Sequence, residues 1–265
     1  MTPPQQRSDE PGDAPWNGII GGHAERPSSK HRNTGYVRRE PMSEERVAIL
    51  FDIDGTLINT GGAGAASWRL AFNDLYGIPA DIGAFTDTGM TDPAVGRKTF
   101  EAVLHREPER KEFTRLLECR LRYLHQTVEE SDGYKVLPGV DELLPNLIEN
   151  GYLLGLVTGN VEAAAHIKLH RAGLNRFFSF GGYGSDSNDR GELTRTALKR
   201  ATMVYGETVT PQQAIAVGDT PLDVKGAHAA GIECVGVGSH HFDADQLRAA
   251  GADYAIASLH EGLPL

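Results

Sequence analysis

The chain has 265 residues, 40% of them apolar, and a formal net charge of −10, which suits one large or two modest folded units. The first 46 residues hold seven acidic and seven basic side chains, so the acidity lies wholly in the remainder, which argues against nucleic acid or an anionic membrane as the main partner. No run approaches the ~20 apolar residues of a membrane span, no apolar secretion signal opens the chain, and the two distant cysteines, Cys119 and Cys234, suit a reducing, cytoplasmic setting.

Residues 1–45 read as a disordered extension. Pro3-Pro4, Pro11-Gly12, Gly21-Gly22 and Pro27 break any regular element. The basic stretch Lys30–Arg39 is either a docking segment or a solvated tail. Val47–Phe51 is an unbroken apolar run and reads as a buried strand. It ends in Asp52 and Asp54, followed by Gly55 and Thr56. Asp-Gly is also ordinary turn chemistry. Yet carboxylates at the end of a buried strand are costly unless paired or on a metal. They make sense where the strand opens into a ligand pocket. Two such groups can hold Mg²⁺, or divide attack on phosphorus and proton transfer between them.

A helical stretch follows. Gly61–Gly64 reads as a joint, Ser67–Tyr76 as an amphipathic helix stopped by Gly77, and Thr91-Asp92-Pro93 as a capped start leading to Leu104. Glu109–Glu130 is a long helix, and no strand is expected between residues 61 and 136. From Leu137 onward helices and strands alternate. Strands are expected at Leu153–Val157, Phe177–Phe180, Ala214–Val217, Cys234–Val237 and Tyr254–Ile256. The expected fold is α/β, a Rossmann-like doubly wound parallel sheet. Residues 46–60 and 137–265 form its core and 61–136 an inserted α-helical cap.

Three strand ends carry polar clusters: Asp52 with Asp54, Thr158-Gly159-Asn160, and Gly218-Asp219 with Asp223. In a parallel sheet these ends share one edge. Thr158 offers a hydroxyl, and the amides of Gly159 and Asn160 lead into a helix N-terminus, which favours an anion. Asn160 is equally a plain helix cap. Asp219 can complete a metal site with Asp52, and Asp223 can orient it or serve as a first-turn acid.

Asp52-Ile53-Asp54-Gly55-Thr56, Val157-Thr158-Gly159-Asn160 and Gly218-Asp219-Thr220-Pro221-Leu222-Asp223 resemble, in order and spacing, the first, second and fourth motifs of the haloacid-dehalogenase superfamily of phosphatases. The resemblance spans about residues 46–260. It implies Asp52 as a nucleophile that forms an aspartyl-phosphate, and Asp54 as the acid and then the base. It implies Mg²⁺ on Asp52, the backbone carbonyl of Asp54 and Asp219, with Asp223 in support. It also implies that Thr158 and the following amide hold the phosphoryl oxygens. Phosphoryl transfer is mostly positioning and charge stabilisation, so these residue types fit it.

The superfamily's third-motif lysine is missing. Arg190 is the nearest cation, with Lys199 further along the same helix as the fallback. Arginine is not an equivalent replacement for lysine. The helical insertion resembles the family's smaller cap, as in phosphoglycolate phosphatases. Thr91, Asp92 and Arg97 are its candidates to face the substrate, and the joints at Gly61–Gly64 and Asp132-Gly133 are its hinges. The implied function is hydrolysis of a small phosphorylated metabolite, phosphoglycolate-like or a sugar phosphate. Two other chemistries use the same fold: a sugar phosphomutase, and a phosphonate hydrolase, for which Lys98 and Lys111 offer no recognisable motif. A non-catalytic protein binding through its basic tail is the remaining alternative. His240-His241 shows no metal-ligand spacing and takes no role.

Overall fold

The computed structural model describes residues 46–265; the expected extension and its basic stretch lie outside them. In chain order the elements are β1 (Ala48–Phe51), β2 (Ile58–Thr60), α1 (Ala63–Tyr76), α2 (Asp92–Leu104), α3 (Arg110–Glu130) and β3 (Tyr134–Val136). They continue with α4 (Val140–Glu149), β4 (Leu153–Thr158), α5 (Glu162–His170), β5 (Phe180–Tyr183) and α6 (Arg190–Tyr205). The last are β6 (Ala214–Gly218), α7 (Pro221–Ala229), β7 (Glu233–Val237), α8 (Ala244–Ala249) and β8 (Tyr254–Ile256). No described helix is long and apolar enough to cross a membrane.

Six strands form one parallel sheet in the order β5-β4-β1-β6-β7-β8. β1 lies inside it, and all four of its residues are buried. Ile49 and Phe51 pack on one face with Leu144 and Leu147 of α4 and Leu169 of α5. Ala48 and Leu50 pack on the other with Leu193 of α6 and Val224 of α7. Burial on both faces is why this strand reads as a continuous apolar run rather than an alternating one. The chain builds β4 and β5 on one side of β1 and then β6 to β8 on the other. β1 is thus the switch point, where open α/β sheets bind their ligands. Phe51 pairs in register with Leu156 and Val217, so the segments that follow β1, β4 and β6 leave the sheet side by side.

Helices α1, α2 and α3 enclose their own apolar cluster, which includes Trp68, Phe72, Phe100, Phe113 and Leu116. Each such side chain contributes about 1.5–3 kcal/mol by leaving water. Gly96 lets α2 approach α1: a Cβ there would stand 2.8 Å from the Trp68 ring.

β2 and β3 pair antiparallel and frame this helical stretch. Beside the pair, the two connections touch backbone to backbone. Gly61 has φ +61°, and a Cβ on it would come within 2.5 Å of Gly133 Cα. This hairpin was not expected, because three-residue strands 70-odd positions apart carry no periodic signal. α1 starts at Ala63, so Gly64 is helical and the joint shortens to Gly61 and Gly62. The strand expected at 177–180 begins at Phe180, because Leu174–Phe177 turns as a 3₁₀ helix. α8 also went unread from the sequence.

Candidate active site

Asp52 leaves the end of β1 with its amide donating to Val217 O at 2.9 Å, and its side chain is buried. Asp219 and Asp223 come from the end of β6 and the first turn of α7. One carboxylate oxygen from each of these three residues lies within 4.8 Å of the others. Gly55 makes the approach possible. It turns at φ +87°, and a Cβ on it would stand 2.1 Å from Asp219 Oδ2. Asp223 is fixed by the start of α7: its Oδ2 accepts from Thr220 N at 3.0 Å and Thr220 Oγ1 at 2.7 Å.

Arg190, at the first position of α6, is the cation of this cluster. Its Nη1 lies 3.5 Å from Asp52 Oδ1 and donates to Val157 O at 3.2 Å, and its Nη2 lies 3.1 Å from Asp223 Oδ1. Arginine's fork spans both acids where a lysine could offer only a point charge. Lys199 is exposed on the same helix.

One guanidinium does not balance three buried carboxylates. Burial, joined by the charge of Asp223, pushes Asp52 up to about 7 despite Arg190. Burial, with Asp52 and Asp223, pushes Asp219 up to about 8. Arg190 moves the other way: burial alone would lower its pKa, but Asp223 and Asp52 outweigh that and raise it. Buried acids with excess negative charge and hard oxygen donors fit a divalent cation, which would remove the repulsion.

Asp54 faces a different set. Its Oδ2 lies 2.6 Å from Lys168 Nζ and accepts from Asn160 Nδ2 at 2.8 Å. Burial would raise Asp54, but the Lys168 charge and the Asn160 hydrogen bond hold it below the usual carboxylate range. Asn160 Nδ2 also donates to Thr158 Oγ1 at 2.8 Å. Thr158, the last residue of β4, thus turns with Gly159 and Asn160 beside Asp54. Lys168 was missed in the sequence. It sits inside α5 and is only 5% exposed, yet it reads as a surface lysine, and no local pattern distinguishes it.

The helical stretch meets the core at that turn. Asp92 N donates to Gly159 O at 2.7 Å, and Asp92 Oδ2 accepts from Val161 N at 2.9 Å. Arg120 holds the same carboxylate with two hydrogen bonds of 3.0 Å. Thr91 Oγ1 donates to Asn188 Oδ1 at 2.6 Å. Arg97, expected to face the substrate, is instead exposed, with its guanidinium 4.2 Å from the Phe113 ring centroid. Its guanidinium lies over that ring, and it makes none of the hydrogen bonds or ion pairs described for the site.

A family profile described as haloacid dehalogenase-like hydrolase matches residues 49–237. A phosphoglycolate phosphatase of Pseudomonas putida is 29% identical over 208 residues, covering 77% of this chain and 73% of the relative. Pyrophosphatase PpaX of Halalkalibacterium halodurans is 27% identical, covering 82% and 95%. The crystal structure of a beta-phosphoglucomutase from Clostridium difficile superposes with a TM-score of 0.64 at 20% identity, over 83% of this chain and 94% of that one. Likeness at that identity speaks to the fold alone.

Proposed function

The chain belongs to the haloacid dehalogenase-like hydrolases, and on that premise we propose that it is a Mg²⁺-dependent phosphatase of small phosphate monoesters. The observation that carries this is the split of the carboxylates. Asp52 shares a buried, cation-poor cluster with Asp219 and Asp223, whereas Asp54 is paired with Lys168.

Asp52, Asp219 and Asp223 would hold the metal, with the carbonyl of Asp54 completing the set. Bound there, Mg²⁺ supplies positive charge to the phosphoryl oxygens and keeps the acids ionised. Asp52 attacks phosphorus and the ester P–O bond breaks, which leaves an aspartyl-phosphate. Asp54, which takes up a proton from solvent as the substrate binds, gives that proton to the leaving oxygen. It then takes one from the water that cleaves the intermediate, and Asp52 is restored. Asp54 rests ionised beside Lys168, and an arriving phosphate dianion raises its proton affinity by like-charge repulsion. Thr158 and the amides of Gly159 and Asn160 contact the phosphoryl oxygens, and Arg190 holds Asp52 in line.

Residues 61–136 act as the cap, with Thr91 and Asp92 seating it on the phosphate loop. Closure at these contacts excludes water from the intermediate until the alcohol leaves. The substrate is a small phosphorylated metabolite, and Cys119 and Cys234, both free and buried, suit a reducing cytoplasm.

The test is phosphate release from a panel of small monoesters, with and without Mg²⁺, on wild type and Asp52→Asn. Metal-dependent release that vanishes in a folded Asp52→Asn supports the reading. Undiminished release in that variant refutes it. Isomerised product forming faster than free phosphate would assign a mutase instead.

A further inference from the structure

A cavity of about 480 Å³ opens beside Asp54. At the ~30 Å³ per molecule of liquid water, this is space for about 16 non-hydrogen atoms. The glycolate released from phosphoglycolate would fill about a third of it. The walls are of two kinds. Leu137, Val237 and Leu259 give an apolar side, and Lys135, His240 and His241 give a basic one.

The topology explains how these basic residues come to line one cavity. Lys135 on β3 lies directly opposite Asn59 on β2, and opposed residues of an antiparallel pair share a face. Tyr134 and Val136 pack against the core, so Lys135 and Asn59 are turned the other way, and both line the cavity. His240 and His241 follow the end of β7, on the sheet edge from which Asp52 also leaves. Their rings meet edge to face, with centroids 5.4 Å apart.

Among the described residues none of the three basic side chains has a carboxylate partner. The one carboxylate among the lining residues is Asp54, and it is bound to Lys168. Within an acidic fold, a cavity next to the proton-transfer residue therefore offers three basic side chains without a carboxylate partner among the described residues. Such groups suit an anion held by charge-assisted hydrogen bonds.

We propose that this cavity holds a sugar-sized leaving group carrying a second anionic substituent, a carboxylate or a further phosphate, bound by Lys135, His240 and His241. The proposal rests on the phosphatase reading for its reacting phosphate. Its own content is the tail recognised beyond that phosphate.

Three probes of similar size separate the possibilities: glucose 6-phosphate with a neutral tail, 6-phosphogluconate with a carboxylate and fructose 1,6-bisphosphate with a second phosphate. Wild type should favour at least one anionic probe over glucose 6-phosphate by about tenfold or more in kcat/KM. The favoured probe identifies the anion. In Lys135→Ala, and in the double variant His240→Gln with His241→Gln, that preference should shrink towards one through a higher KM. Equal kcat/KM for all three probes in wild type overturns the proposal, as does a preference that survives both variants. Binding is measured independently of turnover, by calorimetry of the anionic probes on Asp52→Asn with and without Lys135→Ala. Equal affinities in both proteins overturn the subsite even if phosphate is released. Affinity that depends on Lys135 in a protein whose wild type releases no phosphate upholds the subsite and sinks only the phosphatase reading.

Discussion

Lys168 Nζ lies 2.6 Å from Asp54 Oδ2, joining residues 114 positions apart in the chain. The lysine is nearly fully buried, while the Asp54 side chain keeps 41% of its exposure. The pair ties α5 to the loop after β1 and holds Asp54 ionised in the resting protein.

Removing that lysine should therefore act on the proton-transfer step. In Lys168→Met the Asp54 carboxylate keeps its partial burial and loses its main opposing charge, so its pKa rises. Cleavage of the aspartyl-phosphate needs Asp54 ionised, so the acid limb of the pH profile of kcat should move to higher pH, and kcat should fall about tenfold near neutrality. The stability cost should stay below the ~3–5 kcal/mol of a fully buried broken pair, because Asp54 is partly solvated. An unchanged acid limb would show that Asp54 does not control it.

Arg190 is the second cation to test. It bridges Asp52 and Asp223, so Arg190→Met leaves three carboxylates facing one another. Turnover should drop by about a hundredfold or more, the scale of losing one oriented charge at a reacting centre. Arg190→Lys keeps the charge but can reach only one acid well, and should fall between that variant and wild type. Steady-state kinetics of the three proteins decides the order. Equal activity in Arg190→Met and wild type would remove the arginine from the machinery.

The raised acids make metal-free stability depend on pH in a defined direction. Asp52 and Asp219 sit at about 7 and about 8 when folded, against about 3.9 for an unperturbed aspartate. Between those values the folded state binds more protons than the unfolded one, so stability falls as pH rises. Without metal, Tm should be highest below about pH 4 as far as this cluster is concerned, and should decline from there through pH 8. Divalent metal needs the ionised acids, so added Mg²⁺ should raise Tm more at pH 8.5 than at pH 6. Thermal melts in chelator and in Mg²⁺ at the two pH values give both signs. A metal shift that is larger at pH 6 would contradict the assignment.

The three strand ends were legible because each follows a buried apolar run, and a parallel sheet must gather such ends on one edge. Asp52, Thr158 and Asp219 needed no more than that. Arg190 was legible only as the nearest cation, since nothing local says that the first residue of a helix will turn inward to two acids. Arg120 was hidden in the charged run Cys119-Arg120-Leu121-Arg122, although it is 1% exposed. Its partner Asp92 lies 28 residues away on another helix. Arg97 shows the converse: a cation one turn past a helix start can lie over a neighbouring ring, here Phe113, and nothing local in the sequence says so. Local pattern reports which residues a strand or helix buries; it does not report which distant charge a side chain meets.

The Asp92–Arg120 pair offers a way to separate fastening from folding. Arg120→Met alone strands a buried carboxylate and should cost ~3–5 kcal/mol in urea unfolding. Adding Asp92→Asn removes that charge while its Oδ1 can still accept from Val161 N. The double variant should therefore recover most of the lost stability, because neutral replacements of a buried ion pair are often tolerated. It should not recover function to the same extent. A neutral amide holds the Val161 amide less strongly than a carboxylate does, so α2 is less firmly seated on the Gly159–Val161 segment and KM should stay several-fold above wild type. Stability and KM restored together would mean that the pair serves folding alone, and that the seat of α2 on Gly159 and Val161 has no part in closing the site.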